Sequence, residues 1–340
     1  MRKKLMILLA LAAAIAGSAF YLNRPEAMRP VQSTNNAYLR ADYTNVAPRL
    51  SATVAEVLVR ENQFVEKGQI MARMDDRDQR IAVQTAEAAL QAARANLDML
   101  ESQAGIQASV IEQAEAALDA DRAALTLAQT QERRARELLA RKSGPQSMLD
   151  EAISTLASAE AKLHSDTASR DAARRQLDVY DARKEAARAA VAQAEATLAD
   201  ARLRLSYMTI KAPISGTIGQ LNLRKGAFVP AGTTLAAIVP LQDIYIEAMF
   251  RETQLARVRP GQPVTITVDA IPDRQFRGRV DSIGPASGAS FTALPAQNAT
   301  GNFTKITQRL PVRIALEPDQ PEADAMRVGM SVISEIHVDS

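Results

Sequence analysis

The residues that could carry out chemistry are few and widely separated in this sequence. The chain of 340 residues contains no cysteine and two histidines, His164 and His337, which excludes disulfides, thiolate catalysis and a lipid-modified N-terminal cysteine. The histidines lie in unrelated contexts, so we interpret both as structural or solvent-exposed. Asp75, Asp76 and Asp78 stand at the start of a predicted helix, where carboxylates complement the helix dipole and cap amide groups. We therefore predict no catalytic residue, no cofactor and no metal site.

The charge balance of the chain argues against a polyanionic partner. Its 41 lysine and arginine residues are nearly matched by 39 aspartate and glutamate residues, and the formal net charge is +2. Proteins that bind nucleic acid through its phosphates carry a basic patch or a clear excess of positive charge. Nucleic-acid binding is therefore disfavoured.

Two alanine-rich segments with a seven-residue repeat fill the middle of the chain, from Asp75 to Tyr207. In the first segment, broken only by Glu132, the a positions are Val83, Leu90, Leu97, Ala104, Ile111, Leu118, Leu125 and Leu139, and the d positions include Ala86, Ala93, Leu100, Ala114, Ala128 and Ala135. In the second segment the matching residues are Leu149, Leu156, Leu163, Leu177, Val191, Leu198 and Leu205, then Ala152, Ala159, Ala173, Tyr180, Ala187, Ala194 and Ala201. This spacing predicts a coiled-coil seam in which small residues let two helices approach closely.

The two segments are separated only by Ser143-Gly144-Pro145-Gln146. Proline cannot continue a helix but suits the first turn of the next one, so the chain is expected to fold back here. The result is a long antiparallel hairpin whose arms of about 60 residues reach roughly 90 Å. A hairpin of this length is typical of a structural spacer.

The N-terminus has the pattern of a membrane anchor. Basic residues 2–4 precede an uncharged apolar run from Leu5 to Leu22, which as a helix would span about 27 Å of a hydrocarbon core about 30 Å thick. The basic flank keeps the N-terminus cytoplasmic, so the rest of the chain is exported. A cleaved signal peptide is the alternative, because residues 16–19 are small. Residues 23–34, with two prolines, are expected to form an extended linker.

A short pattern before the hairpin returns after it, 164 residues later. The residues repeated are Ser51, Thr53, Arg60, Phe64, Val65, Gly68 and Ala72, which recur as Ser215, Thr217, Arg224, Phe228, Val229, Gly232 and Ala236. Each copy is about 30 residues, too short to bury a core alone. We therefore expect the two copies to clasp into one β-sandwich. Alternation predicts one strand face formed by Thr53, Ala55, Val57 and Val59.

The remainder of the chain is strand-like. Alternating runs occur at Ile244–Phe250, Val264–Asp269, Phe276–Ile283, Val312–Leu316 and Val332–Val338. A short helix is expected at 252–258, and turns at Pro260-Gly261 and Pro272-Asp273. A small antiparallel β-barrel is the economical arrangement, because closure removes exposed edges, and residues 36–43 are expected to join it. The long loop 284–304 is of the kind that is mobile or functional.

Two sets of residues resemble a known family. Residues 212–218 followed by 226–229 look like the half-motif of the biotinyl/lipoyl-like domain in periplasmic adaptors, also called membrane fusion proteins. Residues 250–255, 259–264 and above all 298–305 with 308–314 resemble EmrA-type adaptors of the HlyD family. The resemblance covers nearly the whole chain.

The resemblance implies an α+β fold with a defined order of domains. A long antiparallel coiled-coil hairpin would be inserted in a split biotinyl/lipoyl-like β-sandwich, with a C-terminal β-barrel and an N-terminal transmembrane helix. The expected bounds are 1–24 for the cytoplasmic stub and anchor, 25–45 for the linker and first barrel strand, 46–75 for the first lipoyl-like half, 76–207 for the hairpin, 208–240 for the second half and 241–340 for the barrel.

The resemblance also implies a non-enzymatic adaptor of a tripartite efflux system. It would be a single-pass inner-membrane protein with its bulk in the periplasm, and the resemblance implies a homo-oligomer, a hexamer. Its inner partner would be a major-facilitator drug/proton antiporter and its outer partner a TolC-like channel. Alternatives are a type I secretion adaptor for an ATP-driven exporter, a coiled-coil scaffold without transport, and a biotin or lipoate carrier. The carrier is disfavoured because the hairpin replaces the lysine-bearing tip.

Adaptors of this family carry an arginine, a leucine four residues later and a serine seven residues beyond that at the hairpin tip, which is thought to engage the outer-membrane channel. Arg134 and Leu138 match the first two positions, whereas the third is Pro145, with Ser143 and Ser147 on either side. The resemblance thus implies a channel-docking tip with the residues Arg134, Leu138, Ser143, Gly144, Pro145 and Ser147. The departure at Pro145 argues against a hydroxyl contact at that point.

Overall fold

The computed structural model describes residues 26–287, 290 and 307–339. Its contacts divide the chain into two units, one formed by Asp75–Met208 and the other by the residues before and after that segment. The predicted anchor at 5–22 and most of the loop 284–304 lie outside the described residues. Within the described part, no helix combines the length and apolar character needed to cross a membrane.

The hairpin unit consists of two long helices, α1 (Arg77–Ala140) and α2 (Gln146–Ser206). The a and d residues of both segments are the least exposed positions of these helices, and Leu118 is 2% exposed. The predicted antiparallel hairpin is confirmed. Glu132, which appeared to break the repeat, stays in the seam as a buried residue and pairs with Arg136 one turn later.

Ion pairs between the helices line one flank of the seam at intervals of seven residues, with one interval of fourteen. Arg202 pairs with Glu87 at 2.7 Å, Arg94 with Glu195 at 2.6 Å, Arg188 with Glu101 at 3.7 Å, and Arg174 with Glu115. Each pair is exposed and contributes at most about 1 kcal/mol. Their signs alternate, however, so sliding the helices by one heptad would oppose Glu87 to Glu195 and Arg94 to Arg188. The ladder therefore specifies the register.

The seam also contains polar residues at positions that the repeat leaves open. Gln107 donates from Nε2 to the carbonyl oxygen of Ala173 at 2.9 Å. Asp121 lies beside Asp166, and its Oδ2 is shielded from solvent without a hydrogen-bond partner among the described residues. Burial, and then the neighbouring Asp166, raise the pKa of Asp121 above its ordinary value. A hydrogen bond from Lys162 lowers the pKa of Asp166.

The carboxylates at the start of α1 act differently from the expectation. Asp76 is the N-cap residue but makes no side-chain cap hydrogen bond. It pairs instead with Arg80 at 2.7 Å, while Asp75 binds the guanidinium of Arg77 through both oxygens. The prediction that these carboxylates cap amide groups is therefore wrong for Asp76, because arginines one to four residues away compete for the same oxygens. Asp75 still accepts a long bond from the backbone N–H of Arg77 at 3.3 Å.

The reversal between the helices has its left-handed residue at Lys142, where φ is 54°. The N–H of Ser143 donates to the oxygen of Leu138, and that of Lys142 donates to the oxygen of Leu139, both at 2.9 Å. This pair of bonds is the Schellman motif, in which glycine usually takes the left-handed position. Gly144 does not take the left-handed position, and a Cβ there would make only an ordinary van der Waals contact, 3.4 Å from the Cβ of Leu138.

The sandwich of the other unit is built from eight strands. They are β2 (Thr44–Val46), β3 (Ala52–Val57), β4 (Phe64–Val65), β5 (Ile70–Met74), β6 (Thr209–Lys211), β7 (Gly216–Leu221), β8 (Phe228–Val229) and β9 (Ala236–Val239). One sheet has the order β2-β9-β7-β4 and the other β6-β5-β3-β8. Each sheet therefore combines strands from both repeat copies, which confirms the clasped arrangement.

The exchange between the copies is reciprocal. Phe64 pairs with Thr217, and the equivalent residues Phe228 and Thr53 pair with each other. The hydroxyl of Ser215 accepts from the N–H of Lys67 at 2.9 Å, and the hydroxyl of Ser51 accepts from the N–H of Ala231 at 3.0 Å. Repeated residues thus make repeated contacts, which is why the two short copies retain the same serine, threonine and phenylalanine.

The predicted strand face in the first copy is wrong. Val54 is buried, whereas Thr53 and Ala55 are exposed. The register shifts between Val54 and Glu56, and this bulge moves the inward side to Val57 and Val59. Strict alternation fails because a bulge places two residues of one strand opposite a single residue of its partner. Every later residue of the bulged strand then points to the other face of the sheet.

The barrel comprises β1 (Val31–Arg40), β10 (Tyr245–Arg251), β11 (Pro263–Val268), β12 (Ile271–Ile283), β13 (Arg309–Leu316) and β14 (Ser331–His337). It is closed in the order β1-β10-β13-β12-β11-β14, as predicted. Its core is formed by the alternate residues that face inward, among them Leu39, Phe250, Ile266, Phe276 and Ile314, each at most 1% exposed. A 3₁₀ helix occupies Glu252–Arg257.

Two local expectations for the barrel are wrong. Residues 31–34 are strand and not linker, because Val31 pairs with His337 at the far end of the chain. The turn expected at Pro272-Asp273 is displaced to residues 269–270, and Pro272 lies inside β12. A register shift follows Thr267, so Pro272 sits in an irregularity where no ladder N–H is required. The turn at Pro260-Gly261 is confirmed, with φ of Gly261 at 91°.

Replacing Asp121 by asparagine is expected to stabilise the hairpin at neutral pH. The raised pKa of Asp121 means that the folded hairpin binds this proton more tightly than the unfolded chain, so stability is lost as the pH rises through the folded-state value. An amide in its place can donate to Asp166 without titrating. Thermal unfolding followed by circular dichroism should therefore show a higher midpoint for Asp121→Asn than for the wild type at pH 7. The midpoint of the variant should also fall less than that of the wild type as the pH rises from about 4 to 7.

Asp119→Asn is the matched control, since Asp119 is exposed and pairs locally with Arg122. If the unfolding midpoint of Asp121→Asn depended on pH in the same way as that of the wild type, the proposed interaction between the Asp121 and Asp166 carboxyl groups would be contradicted.

Replacing Lys142 by glycine is expected to raise the free energy of local unfolding at the reversal by about 0.5–1 kcal/mol. The left-handed conformation costs a residue with a side chain about 1–2 kcal/mol, which the greater freedom of unfolded glycine partly offsets. Amide hydrogen exchange should slow two- to fivefold in residues 136–150. Lys142→Ala keeps the Cβ and should show no such slowing; similar protection in both variants would argue against strain at this position.

Candidate functional site

The free end of the hairpin carries a shallow groove of about 300 Å³. Its lining comes from the last turns of α1 and the first turns of α2, and comprises Gln131, Arg134, Ala135, Leu138, Met148, Glu151, Ala152 and Thr155. The groove forms because the seam residues Ala135 and Ala152 are small and make its floor. The larger side chains on either side of them form its walls.

The groove is apolar at its centre and charged at its margins. Leu138 and Met148 remain 41% and 44% exposed, which is unusual for side chains of this size beside an available seam. Arg134 and Glu151 are exposed, and neither forms an ion pair with another residue in the described part of the chain. The groove can therefore offer one cation and one anion around an uncovered apolar surface, which suits contact with another protein.

The six residues predicted for the tip fall into two groups. Arg134 and Leu138 line the groove, whereas Ser143, Gly144, Pro145 and Ser147 belong to the reversal and the first residues of α2. The hydroxyl of Ser143 donates to the carbonyl oxygen of Arg141 at 3.2 Å, so it is engaged within the turn. The structure thus brings two of the predicted residues together, and their role stays a prediction.

Sequence reasoning missed Met148 and Glu151, which face Leu138 and Arg134 across the groove. A signal for them was present. In an antiparallel pair the g positions of the two helices lie on the same flank, and Leu138 and Met148 both occupy g positions. Pairing the two repeats through the reversal would have placed these side chains together.

A larger cavity, of about 640 Å³, lies in the strand-containing unit. Its wall includes Phe64, Lys67, Asp243 and Arg313. The guanidinium of Arg313 lies 3.6 Å from the centre of the Tyr245 ring. Burial, and then the hydrogen bond to Asp42, raise the pKa of the Tyr245 hydroxyl. Charges of both signs line this cavity, so it does not favour one class of ligand.

The described residues contain no group of three or more histidine, aspartate or glutamate side chains placed to hold a metal ion. His337 lies 2.9 Å from the hydroxyl of Thr265 through its Nε2, a contact between neighbouring barrel strands. The arrangement around this histidine is that of a structural side chain.

The chain matches two family models. The RND MFP barrel-sandwich hybrid domain covers residues 42–241, and the YknX-like β-barrel domain covers residues 244–336. The first match therefore includes both halves of the sandwich and the hairpin between them.

Curated relatives span most of the chain. The colistin resistance protein EmrA of Acinetobacter baumannii is 34% identical and the alignment covers 94% of this chain and 89% of the relative. The fatty acid resistance protein FarA of Neisseria gonorrhoeae is 33% identical, with coverages of 88% and 74%. The multidrug export protein EmrA of Escherichia coli is 31% identical, with coverages of 91% and 77%.

Solved structures show the same fold. MacA from Actinobacillus actinomycetemcomitans aligns with a TM-score of 0.56 at 20% identity, covering 91% of this chain and 81% of MacA. The membrane fusion protein Spr0693 from Streptococcus pneumoniae R6 aligns with a TM-score of 0.52 at 18% identity, with coverages of 90% and 97%. From the family models and the relatives at 31–34% identity, we conclude that this chain belongs to the membrane fusion protein family and is an adaptor of the EmrA type.

Proposed function

We propose that the protein is the periplasmic adaptor subunit of a tripartite efflux system that exports drugs or other toxic small molecules. The observation that carries the proposal is the tip groove. It combines an exposed apolar centre with Arg134 and Glu151, neither of which has an ion-pair partner among the residues that the structure describes. It lies at the end of helices of 64 and 61 residues. Helices of this length reach about 90 Å, which suits a protein that must make contact far from its membrane anchor.

The outer partner in this proposal is a TolC-like channel, and the tip groove is the surface that receives it. An exposed leucine and methionine between two opposite charges provide an apolar anchor and two orienting contacts. The channel helices would therefore need an apolar side chain flanked by one acidic and one basic residue.

The inner partner in this proposal is a transporter of the major-facilitator type, and the adaptor works as a homo-oligomer, a hexamer by family resemblance. A single hairpin cannot enclose a passage, whereas a closed ring of hairpins can. Membrane pull-down with mass spectrometry tests the partner: recovery of an ATP-driven exporter would favour type I secretion, and recovery of no transporter would favour a scaffold.

The proposed localisation is a single-pass inner-membrane protein with its bulk in the periplasm. It requires residues 5–22 to remain attached to the mature chain, because the uncharged run is the element that could anchor it. N-terminal sequencing of the membrane-extracted protein should therefore begin at or near Met1. A mature N-terminus near Phe20 would show cleavage and overturn the anchored arrangement.

The variants Arg134→Asp and Leu138→Ser are expected to abolish efflux-linked resistance without changing the helicity or the membrane level of the protein. Reversing a charge at a desolvated contact costs several kcal/mol of binding free energy, whereas an exposed helix substitution usually changes folding by about 0.5 kcal/mol or less. Resistance assays at equal protein level provide the measurement.

Arg122→Asp is the matched control for this experiment, because Arg122 is exposed and its ion pair is with Asp119 on the same helix. Arg174 is less suitable, since it pairs with Glu115 across the hairpin. Wild-type resistance in both tip variants would mean that the channel is contacted elsewhere or not at all.

A further inference from the structure

The two ends of the barrel have different neighbours along the chain. Adjacent strands are antiparallel, so β1, β11 and β13 begin at one end, where β10, β12 and β14 finish. At the other end the chain passes to the sandwich through residues 41–43 and 240–244. The first end therefore receives the chain that follows the apolar run at 5–22. We call it the anchor-side end.

The chain is fixed to the anchor-side end from Glu26 onward. The Glu26 carboxylate lies 2.6 Å from the guanidinium of Arg251 and accepts a hydrogen bond from the hydroxyl of Thr253 at 2.8 Å. Gln32 is buried, and its Nε2 donates to the backbone oxygens of Glu26 at 2.8 Å and Arg29 at 3.0 Å. These contacts join the entering segment to the barrel on two sides, so the barrel cannot swivel between Glu26 and β1.

Only a short stretch separates this fixed point from the apolar run. Leu22 and Glu26 are four residue steps apart, which reach at most about 14 Å when the chain is fully extended. The headgroup layer on each side of a bilayer is itself roughly 5–8 Å thick. When residues 5–22 span the membrane, the anchor-side end is consequently within reach of the lipid headgroups.

The anchor-side end carries an excess of arginine. The described residues that precede or follow the strands here include five arginines and three carboxylates, which are Arg29, Arg251, Arg257, Arg259 and Arg309, with Glu26, Glu252 and Asp339. Arg251 pairs with Glu26, and Arg257 pairs with Asp339. The other three arginines are exposed and have no carboxylate partner in the part of the chain that the structure describes. We call Arg29, Arg259 and Arg309 the arginine rim; Arg309 is the cross-strand neighbour of Arg251.

Hydrogen bonds connect the rest of the arginine rim to the segment before β1. The N–H of Arg259 donates to Oε1 of Gln262 at 2.8 Å, and Nε2 of Gln262 donates to the oxygen of Val338 at 3.4 Å. The N–H of Val338 in turn donates to the oxygen of Pro30 at 2.9 Å, and Pro30 follows Arg29. The rim is therefore one continuous part of the surface and surrounds the point where the chain enters the barrel.

The opposite end of the barrel has the reverse charge. The loop between β13 and β14, residues 317–330, contains four carboxylates and one arginine. An anionic surface would therefore attract the anchor-side end and repel the other end. Anionic phospholipids attract clusters of exposed basic residues that are held close to the membrane. Met28, which is 60% exposed beside Arg29, offers the same surface an apolar side chain.

We infer that the arginine rim rests on the headgroups of anionic phospholipids in the membrane that holds the anchor. The inference rests on the proposed anchored arrangement and goes beyond it, because a tether alone would leave the barrel free to tilt about residues 23–25. Three arginines placed around one end of the barrel instead hold that end against the membrane surface and keep the acidic loop away from it.

Fluorescence quenching at single cysteines tests the inference, because the wild-type chain has no cysteine. Full-length protein carrying Ala256→Cys is labelled with bimane and reconstituted in vesicles of phosphatidylcholine, with or without an equal amount of phosphatidylglycerol. Both kinds of vesicle contain the same fraction of lipid that is spin-labelled at its headgroup. Ala256 is exposed in the 3₁₀ helix Glu252–Arg257 at the anchor-side end.

Ala325→Cys is the matched control, since Ala325 is an exposed alanine in the 3₁₀ helix Ala323–Ala325 of the acidic loop. We expect phosphatidylglycerol to increase the loss of fluorescence from Ala256→Cys and to leave that from Ala325→Cys unchanged. Equal quenching of Ala256→Cys in the two kinds of vesicle would overturn the inference. An increase of the same size at both positions would do so too.

Salt provides a second comparison without any change to the rim. Raising the salt concentration from about 0.1 to 1 M shortens the Debye length from about 10 to 3 Å, so the increase caused by phosphatidylglycerol should disappear. An increase that persisted at high salt would show a contact that does not depend on charge, and would reject the arginine rim as its cause.

Replacing the arginine rim tests its residues directly. Arg29→Gln, Arg259→Gln and Arg309→Gln together should abolish the increase in quenching of the Ala256→Cys label, with an unchanged thermal unfolding midpoint. The matched control, Arg274→Gln, Arg277→Gln and Arg327→Gln, removes the same charge from arginines that lie in or contact the acidic loop, and should retain the increase. A rim variant that retains it would reject these arginines; if the rim variant were unstable, the lipid and salt comparisons would decide.

Flotation separates this inference from the proposed localisation. Protein that does not float with the vesicles would reject the anchored arrangement and the lipid contact together. Protein that floats but shows no quenching dependent on phosphatidylglycerol would retain the anchor and reject the lipid contact alone.

Discussion

The register of the two-helix seam is the constraint on which the hairpin depends. Alanine at most d positions allows close approach but discriminates poorly between alternative alignments, because one alanine layer is much like the next. The ladder from Glu87–Arg202 to Glu115–Arg174 supplies the missing discrimination. Its pairs contribute little individual stability, yet a one-heptad slip would bring like charges together, so they select one alignment from several of similar packing.

The alignment in turn decides what the tip presents. Leu138 and Met148 both line the groove because the heptad register that pairs α1 with α2 is kept up to the reversal. The Schellman turn at Lys142 connects the two helices without changing that register. The polar residues within the seam have a related effect. Gln107 donates a hydrogen bond to the backbone oxygen of Ala173, and the half-buried Asp121 lies beside Asp166. Each of these residues therefore favours one partner on the opposite helix.

The strand-containing unit is built from two stretches of the chain that the hairpin separates in sequence. Each repeat copy contributes strands to both sheets, so neither copy can complete its backbone hydrogen bonds without the other. The first and last barrel strands are joined in the same way, since β1 pairs with β14 from Val31–His337 onward and closes the barrel. Long-range pairing of this kind keeps the two parts of the unit together in spite of more than 130 residues inserted between them.

Local sequence patterns by themselves determined the hairpin, its reversal and the internal repeat. The heptad spacing of apolar residues predicts the two helices, Pro145 marks the reversal between them, and seven identical residues recurring 164 positions later mark the repeat. These patterns also placed Arg134 and Leu138 at the tip. Tertiary structure alone decided the bulge at Val54 to Glu56, the strand at residues 31–34 and the shift of the turn before Pro272, because each depends on a partner strand distant in sequence. Met148 and Glu151 joined the groove for the same reason: their position follows from how α2 aligns with α1, and a single heptad pattern does not contain that alignment.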